Sequence, residues 1–237
     1  MSAYGGRGLH GQVVDALGSR ILRGQIGPGE LIDPDAVLAE FGVSRTVVRE
    51  AFKVLAAKGL VDARPRTGTY VTKRSRWQLL DADVMAWRTA GSVDPLLLTE
   101  LGEVRQIFEP HAAAMAAQRR SPEQIALLEG SVQRMRDSQS HEVLIQADLD
   151  FHRLILAAAG NELLQRIEVI LEPALRARDA LMHSDPADFT FVDEHGEIFR
   201  AIADGDSEAA FALTDRMMCR AAEDVQQILQ AATSADG

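Results

Sequence analysis

Three runs of helical apolar spacing, the last followed by a β-ribbon pattern, fill residues 8–73 and restrict the fold more than any other feature. Val13, Val14, Leu17, Ile21 and Leu22 repeat at the α-helical period, and the run stops at Gly24. The stretch "GQIGPGELI" then has the glycine and proline content of a loop. Asp33 and Pro34 supply a cap and a first-turn residue for a short helix through "DAVLAEF", which Gly42 ends. Ser44 can cap a third helix starting at Arg45, with Val43 and Val48 placed as a hydrophobic staple across its entry. Val48, Ala51, Phe52 and Leu55 then face inward, leaving Thr46, Arg49 and Lys53 outward and Arg45 on the exposed first turn. Past Gly59, "LVDARPRTGTYVTKR" places β-branched and aromatic residues on both sides of a Pro/Gly turn, the pattern of a two-stranded ribbon. Helix, helix, short turn, helix, ribbon is the order of a winged helix-turn-helix.

The charge is divided along the chain. Residues 1–76 hold 12 Lys+Arg against 7 Asp+Glu, whereas residues 77–237 hold 13 against 28, within a formal net charge of -10. A basic module joined to an acidic one fits a first part that meets a polyanion and a second part with another task. The single cysteine, Cys219, excludes an internal disulfide framework. No apolar run approaches the roughly 20 residues that cross a bilayer, and the first twenty residues lack a secretory pattern. The expected address is the cytoplasm, without membrane partners.

From about Trp77 the pattern becomes almost wholly helical. "WQLLDADVMAWR" is a short amphipathic segment ended by Gly91, and Asp94 with Pro95 opens a long helix through "LLLTELGEVRQIFEPHAAAMAAQRR". "SPEQ" at 121–124 is a capping box, and further helical runs cover about 141–159, 161–183, 190–204 and 206–232. The expected fold is mainly α: a winged helix-turn-helix at 1–76, a connector at 77–92, and an all-α bundle of six or seven helices at 93–237.

The major groove of B-DNA admits a helix whose N-terminal turns reach base edges and phosphates. Arg45, Thr46 and Arg49 occupy those turns, with Lys53 one turn further on the same face. In the ribbon, Arg64, Arg66, Thr67 and Gly68 sit at the turn, where an arginine can enter the adjacent minor groove. Double-stranded DNA is therefore the expected partner.

The combination "GELI...LAEFGVSRTVVREAFKVLAAKGLV...RTGTYV" resembles the N-terminal domain of the GntR family of bacterial transcription regulators, over about residues 8–73. "EVRQIFEPHAAAMAA", "ADLDFHRLILAAAGNELL" and "EHGEIFRAIADGDSEAA" resemble the all-helical effector domain of its FadR-type branch. The resemblance implies a homodimer whose paired recognition helices bind a near-palindromic operator, controlled by a small carboxylate in each effector domain. A narrower likeness, carried by "SRWQLLDADVMAWR" and the final helix, is to repressors of D-galactonate catabolism, which puts galactonate first among aldonates.

Asp148 and His152 stand four residues apart and so share a helix face, and His195 lies on a later helix that can cross it. Such a set suits zinc, nickel or manganese, although packed core or surface residues account for the same pattern. Metal-binding members of the resembled family use an aspartate, a histidine four residues on, and two later histidines. Position 217, where the last histidine falls, is Met217, a soft thioether ill matched to oxygen and imidazole donors. The expectation is a three-residue site, Asp148, His152 and His195, in which a divalent metal is weakly held, absent, or completed by the effector's oxygens. Arg105 is the candidate for the effector carboxylate, against the alternative of a surface ion pair with Glu109 four residues along. Asn161 is expected to cap the following helix, and His111, His141 and His183 have no assigned role. The competing readings are a metal-dependent hydrolase with a nucleic-acid-binding head and an effector-independent DNA-binding protein. No nucleophile motif or general base beside the metal set supports the hydrolase.

Overall fold

The computed structural model describes residues 8–90, 94–182 and 190–235; Gly91 and His183 lie outside the described residues. The chain forms two compact units, Met1–Ser92 and Val93–Gly237. The described elements of the first are α1 (Leu9–Leu22), β1 (Leu31–Ile32), α2 (Pro34–Phe41), α3 (Arg45–Ala57), β2 (Val61–Arg64), β3 (Gly68–Val71) and α4 (Ala82–Thr89).

The local signals act as the residues dictate. The Asp33 side chain accepts from Asp35 N at 2.9 Å, and Gly42 closes α2 in the left-handed conformation at φ 61°. Ser44 Oγ accepts from Val47 N at 3.4 Å, and Val43 and Val48 are both buried beside that entry. Val48, Ala51 and Leu55 enter the core of the unit, and Phe52 is partly buried against it. The ribbon differs from the expectation in one respect. Leu31 and Ile32 leave the loop and pair antiparallel with Tyr70 and Thr69, giving a three-stranded sheet of order β1-β3-β2. A two-residue strand has no periodicity to detect, and only the presence of β3 gives its backbone groups partners.

Residues 77–92, expected as a connector, group with the first unit, and α4 packs on α1. Trp87 is 3% exposed, and its indole Nε1 donates to Asp15 Oδ1 at 2.9 Å. Gly18 makes the approach possible: a Cβ there would lie 2.5–2.7 Å from the Trp87 ring. Lys58 at the end of α3 bonds Asp81 Oδ1 and Oδ2 at 2.8 and 2.9 Å and Asp83 Oδ2 at 2.6 Å, and its ammonium lies 5.7 Å from the Trp87 ring centroid. Burial alone would lower the Lys58 pKa, but the hydrogen bonds its ammonium donates to Asp81 and Asp83 outweigh it and raise the pKa. Its stabilising share is thus complete below the lysine value of the unfolded chain and is lost only as pH rises past the folded value. Gly18→Ala should force the indole out of its seat and destabilise this unit by about 1–3 kcal/mol. Urea unfolding followed by circular dichroism checks this, and an unchanged midpoint would show that the ring yields freely.

The second unit is all helical among its described residues: α5 (Pro95–Arg119), α6 (Pro122–Arg136), α7 (His141–Ala158), α8 (Glu162–Met182), α9 (Thr190–Asp204) and α10 (Ser207–Ala235). α5 packs against α7, α8, α9 and α10, and α6 against α7 and α9, around Phe151, Leu128, Met135, Ile198 and Ile202. Ser121 and Gln124 complete the capping box of α6, and Asn161 Oδ1 accepts from Leu163 N and Leu164 N at the start of α8.

Candidate functional site

Two places gather functional chemistry, one in each unit. In the first, the capped entry of α3 presents Arg45, Thr46, Arg49 and Lys53 as exposed side chains. Arg45 is 80% exposed with Asp35 Oδ1 at 3.0 Å, while Arg49 and Lys53 flank Glu50 at 3.9 and 2.9 Å. These exposed pairs are worth little in water and are easily exchanged for a stronger anion. At the ribbon turn Arg64, Arg66, Thr67 and Gly68 are all exposed. The Arg64 guanidinium lies 4.1 Å from the Tyr70 ring centroid, Arg66 has a left-handed φ of 64°, and Gly68 has φ 112°. The structure therefore projects all eight residues from one unit, four from a helix face and four from the tip of the β2–β3 ribbon.

The second place is internal. On α5 the buried residues Leu97, Leu98, Leu101, Ala112, Ala113 and Ala116 define one face, and Arg105 and Glu109 lie on that same face. Arg105 is 2% exposed, so the alternative of a surface pair with Glu109 is corrected: the pair exists, but it is buried. Arg105 Nε and Nη2 both donate to the Glu109 carboxylate, the latter at 3.3 Å, while Nη1 is buried with no hydrogen-bond partner.

Glu109 also accepts from His152 Nδ1 on α7, at 2.8 Å. Burial would raise the Glu109 pKa, but Arg105 and His152 hold it down at about 2. Burial likewise disfavours the charged form of His152, and Glu109 and Asp148 overcome this to raise its pKa. His195 Nδ1 on α9 lies 2.7 Å from the Phe191 carbonyl oxygen. The Nε2 atoms of His195 and His152 lie 2.8 and 3.8 Å from Asp148 Oδ1. The His195 contact lacks hydrogen-bond geometry, so this Nε2 is a buried nitrogen with no hydrogen-bond partner. One donor atom from each of Asp148, His152 and His195 lies within 4.8 Å of the others. Two imidazoles held through Nδ1, with one carboxylate oxygen beside both Nε2 atoms, form a donor set that fits a borderline divalent cation.

The structure thus brings Arg105 and the three metal candidates into one connected cluster through Glu109. Sequence reasoning gave Glu109 no role beyond a surface pair. It also missed the polar groups of α8: Glu168, Arg178 and Asp179 are buried on the face that carries Leu171 and Leu175. The available signal was charge at positions that continue an apolar stripe. Met217 is buried in the core of the unit, and Glu194 pairs with Arg220 instead of joining the triad. His111 contacts the Ile107 carbonyl oxygen and stacks edge-on against Phe211, and His141 is exposed.

Comparison with known proteins agrees with this division. Residues 9–71 match the bacterial regulatory proteins of the gntR family, and residues 100–220 match the FCD domain. The galactonate operon transcriptional repressor of Escherichia coli is 32% identical over 84% of this chain and 89% of its own length. LutR of Bacillus subtilis is 30% identical over 80% of this chain and 89% of its own, and NanR of Edwardsiella tarda 31% over 85% and 79%. Among solved structures, Lar of Listeria monocytogenes superposes with a TM-score of 0.65 at 21% identity, covering 93% of this chain and 98% of that one, a likeness of fold.

Proposed function

The chain belongs to the gntR family of bacterial regulatory proteins and carries an FCD domain, which makes it a transcription regulator, and we propose that it is a repressor released from its operator by a sugar acid. Arg45, Thr46, Arg49 and Lys53 enter the major groove, and the turn at Arg64, Arg66, Thr67 and Gly68 follows the flanking backbone or minor groove. Two copies of the chain bind a near-palindromic site as a homodimer. Three relatives at 30–32% identity are named as transcriptional regulators or repressors, one of them of a galactonate operon, so an aldonate is the first effector to test.

The observation that carries the effector reading is the Arg105 guanidinium, buried and paired on one edge while Nη1 stays without a hydrogen-bond partner. A buried cationic donor left unsatisfied is costly, and a ligand carboxylate removes the cost. Asp148, His152 and His195 would hold a divalent ion, which supplies positive charge for the ligand's hydroxyl and carboxylate oxygens. Met217 contributes no hard donor, leaving coordination positions for those oxygens. No catalytic step is assigned, and Glu194, the acid adjacent to His195, is held by Arg220. Release is allosteric: the acid binds better to the arrangement of the second unit that is incompatible with operator binding.

A thermal-shift screen of aldonates and simple carboxylates, followed by operator binding with each hit, tests this reading. An aldonate is expected to raise the melting temperature and weaken operator binding; an operator affinity indifferent to every acid would reject it. Metal content of protein purified without chelator should be substoichiometric alone and rise towards one ion per chain with the aldonate present. Stoichiometric metal without the acid would reject the three-donor form of the site.

A further inference from the structure

Glu168 is a second unsatisfied group in the interior of the helical unit, with the opposite sign to Arg105 Nη1. It is 2% exposed on α8, and neither carboxylate oxygen has a hydrogen-bond partner. The cation recorded at the Glu168 carboxylate is Arg153, whose Nε stands 3.7 Å from Oε2, beyond hydrogen-bond reach, and whose side chain is 43% exposed. Arg153 is also shared with Asp150 and Glu172. Glu168 therefore has a long, divided ion pair and no donor.

Its position ties it to the site already described. Glu168 is close enough to His152 and Glu109 to feel both charges, and burial raises its pKa above the ordinary carboxylate value. α8 packs against both α7 and α5, the helices that carry His152, Asp148, Arg105 and Glu109. A carboxylate buried without donors is costly, as is a guanidinium nitrogen buried without acceptors. One ligand that bears a carboxylate for Arg105 and hydroxyl donors for Glu168 satisfies both.

We infer that Glu168 accepts hydrogen bonds from effector hydroxyl groups and is the residue that selects polyhydroxy acids over plain carboxylates. This rests on the effector reading above and deepens it. Arg105 alone recognises any carboxylate. Glu168 supplies the discrimination, because only an acid with hydroxyls provides the donors its buried carboxylate lacks, whereas a plain acid leaves it as unsatisfied as in the free protein.

The test uses the full chain and compares D-galactonate and D-gluconate with hexanoate, by calorimetric titration and by operator release. The wild-type protein should bind one aldonate at least about 100-fold more tightly than hexanoate. Glu168→Gln should lose about 10- to 100-fold in affinity for that aldonate while hexanoate binding and operator affinity without ligand stay unchanged. Wild-type selectivity retained in Glu168→Gln overturns the assignment of Glu168 and leaves the sugar-acid reading intact. Absence of aldonate binding by the wild type overturns both. Should Glu168→Gln fold poorly, the wild-type comparison still decides: equal affinity for the aldonates and hexanoate overturns the inference.

Discussion

Reversing the charge of Arg45 and Arg49 together, as Arg45→Glu with Arg49→Glu, is expected to abolish sequence-selective DNA binding without unfolding the protein. Both side chains are largely exposed, 80% and 73%, and their partners Asp35 and Glu50 are exposed or half-exposed, so the fold loses almost nothing. The DNA complex loses much more. An arginine bidentate to guanine contributes about 1–3 kcal/mol, and each lost phosphate contact lowers the salt slope by about one. Arg45→Ala or Arg49→Ala alone should therefore weaken binding about 10- to 100-fold. The measurement is fluorescence anisotropy at fixed salt, on a duplex selected by the wild-type protein from a random library. Full affinity in the doubly reversed variant, with an unchanged circular dichroism spectrum, would remove α3 from the interface.

The second large effect is at Arg105. Arg105→Ala strands Glu109, 4% exposed, beside His152 without its guanidinium. Removing one member of a buried pair costs about 3–5 kcal/mol, so the helical unit of this variant should melt well below the wild type. Arg105→Lys separates stability from recognition. The ammonium keeps the charge beside Glu109 but cannot reproduce the fork that holds Glu109 on one edge and leaves Nη1 for a ligand on the other. Arg105→Lys should bind operator as the wild type does while requiring about 10- to 100-fold more aldonate for release. Release by the aldonate at the wild-type concentration would reject the carboxylate role of Arg105.

The two predictions differ in how far the chain announces them. Everything needed to place Arg45 and Arg49 is local: the Ser44 cap, the Val43 and Val48 contact, and the apolar spacing through Leu55 that turns the basic residues outward. Helix caps and amphipathic periods act over one or two turns, so a linear reading suffices. The helical character of the second unit is legible for the same reason, as are the Ser121 and Asn161 caps. β1 was not legible, because two residues carry no period and their partners lie on β3.

The internal site divides along the same line. Asp148 and His152 are related by one helical turn and could be paired from spacing alone, His195 was placed on a later helix able to cross that face, and likeness to a family gave the set its weight and pointed to Arg105. Glu109 was visible only as a neighbour of Arg105; its contact with His152 and its burial depend on α7 crossing α5. Glu168 offers no local signal except a carboxylate on the stripe shared with Leu171 and Leu175. Chain-local forces thus determined the helices, their caps and the outward basic face. Which charges are taken from water, and what they then face, was decided only when α5, α7, α8 and α9 packed together, because desolvation and Coulomb attraction depend on through-space distances that residue spacing does not encode.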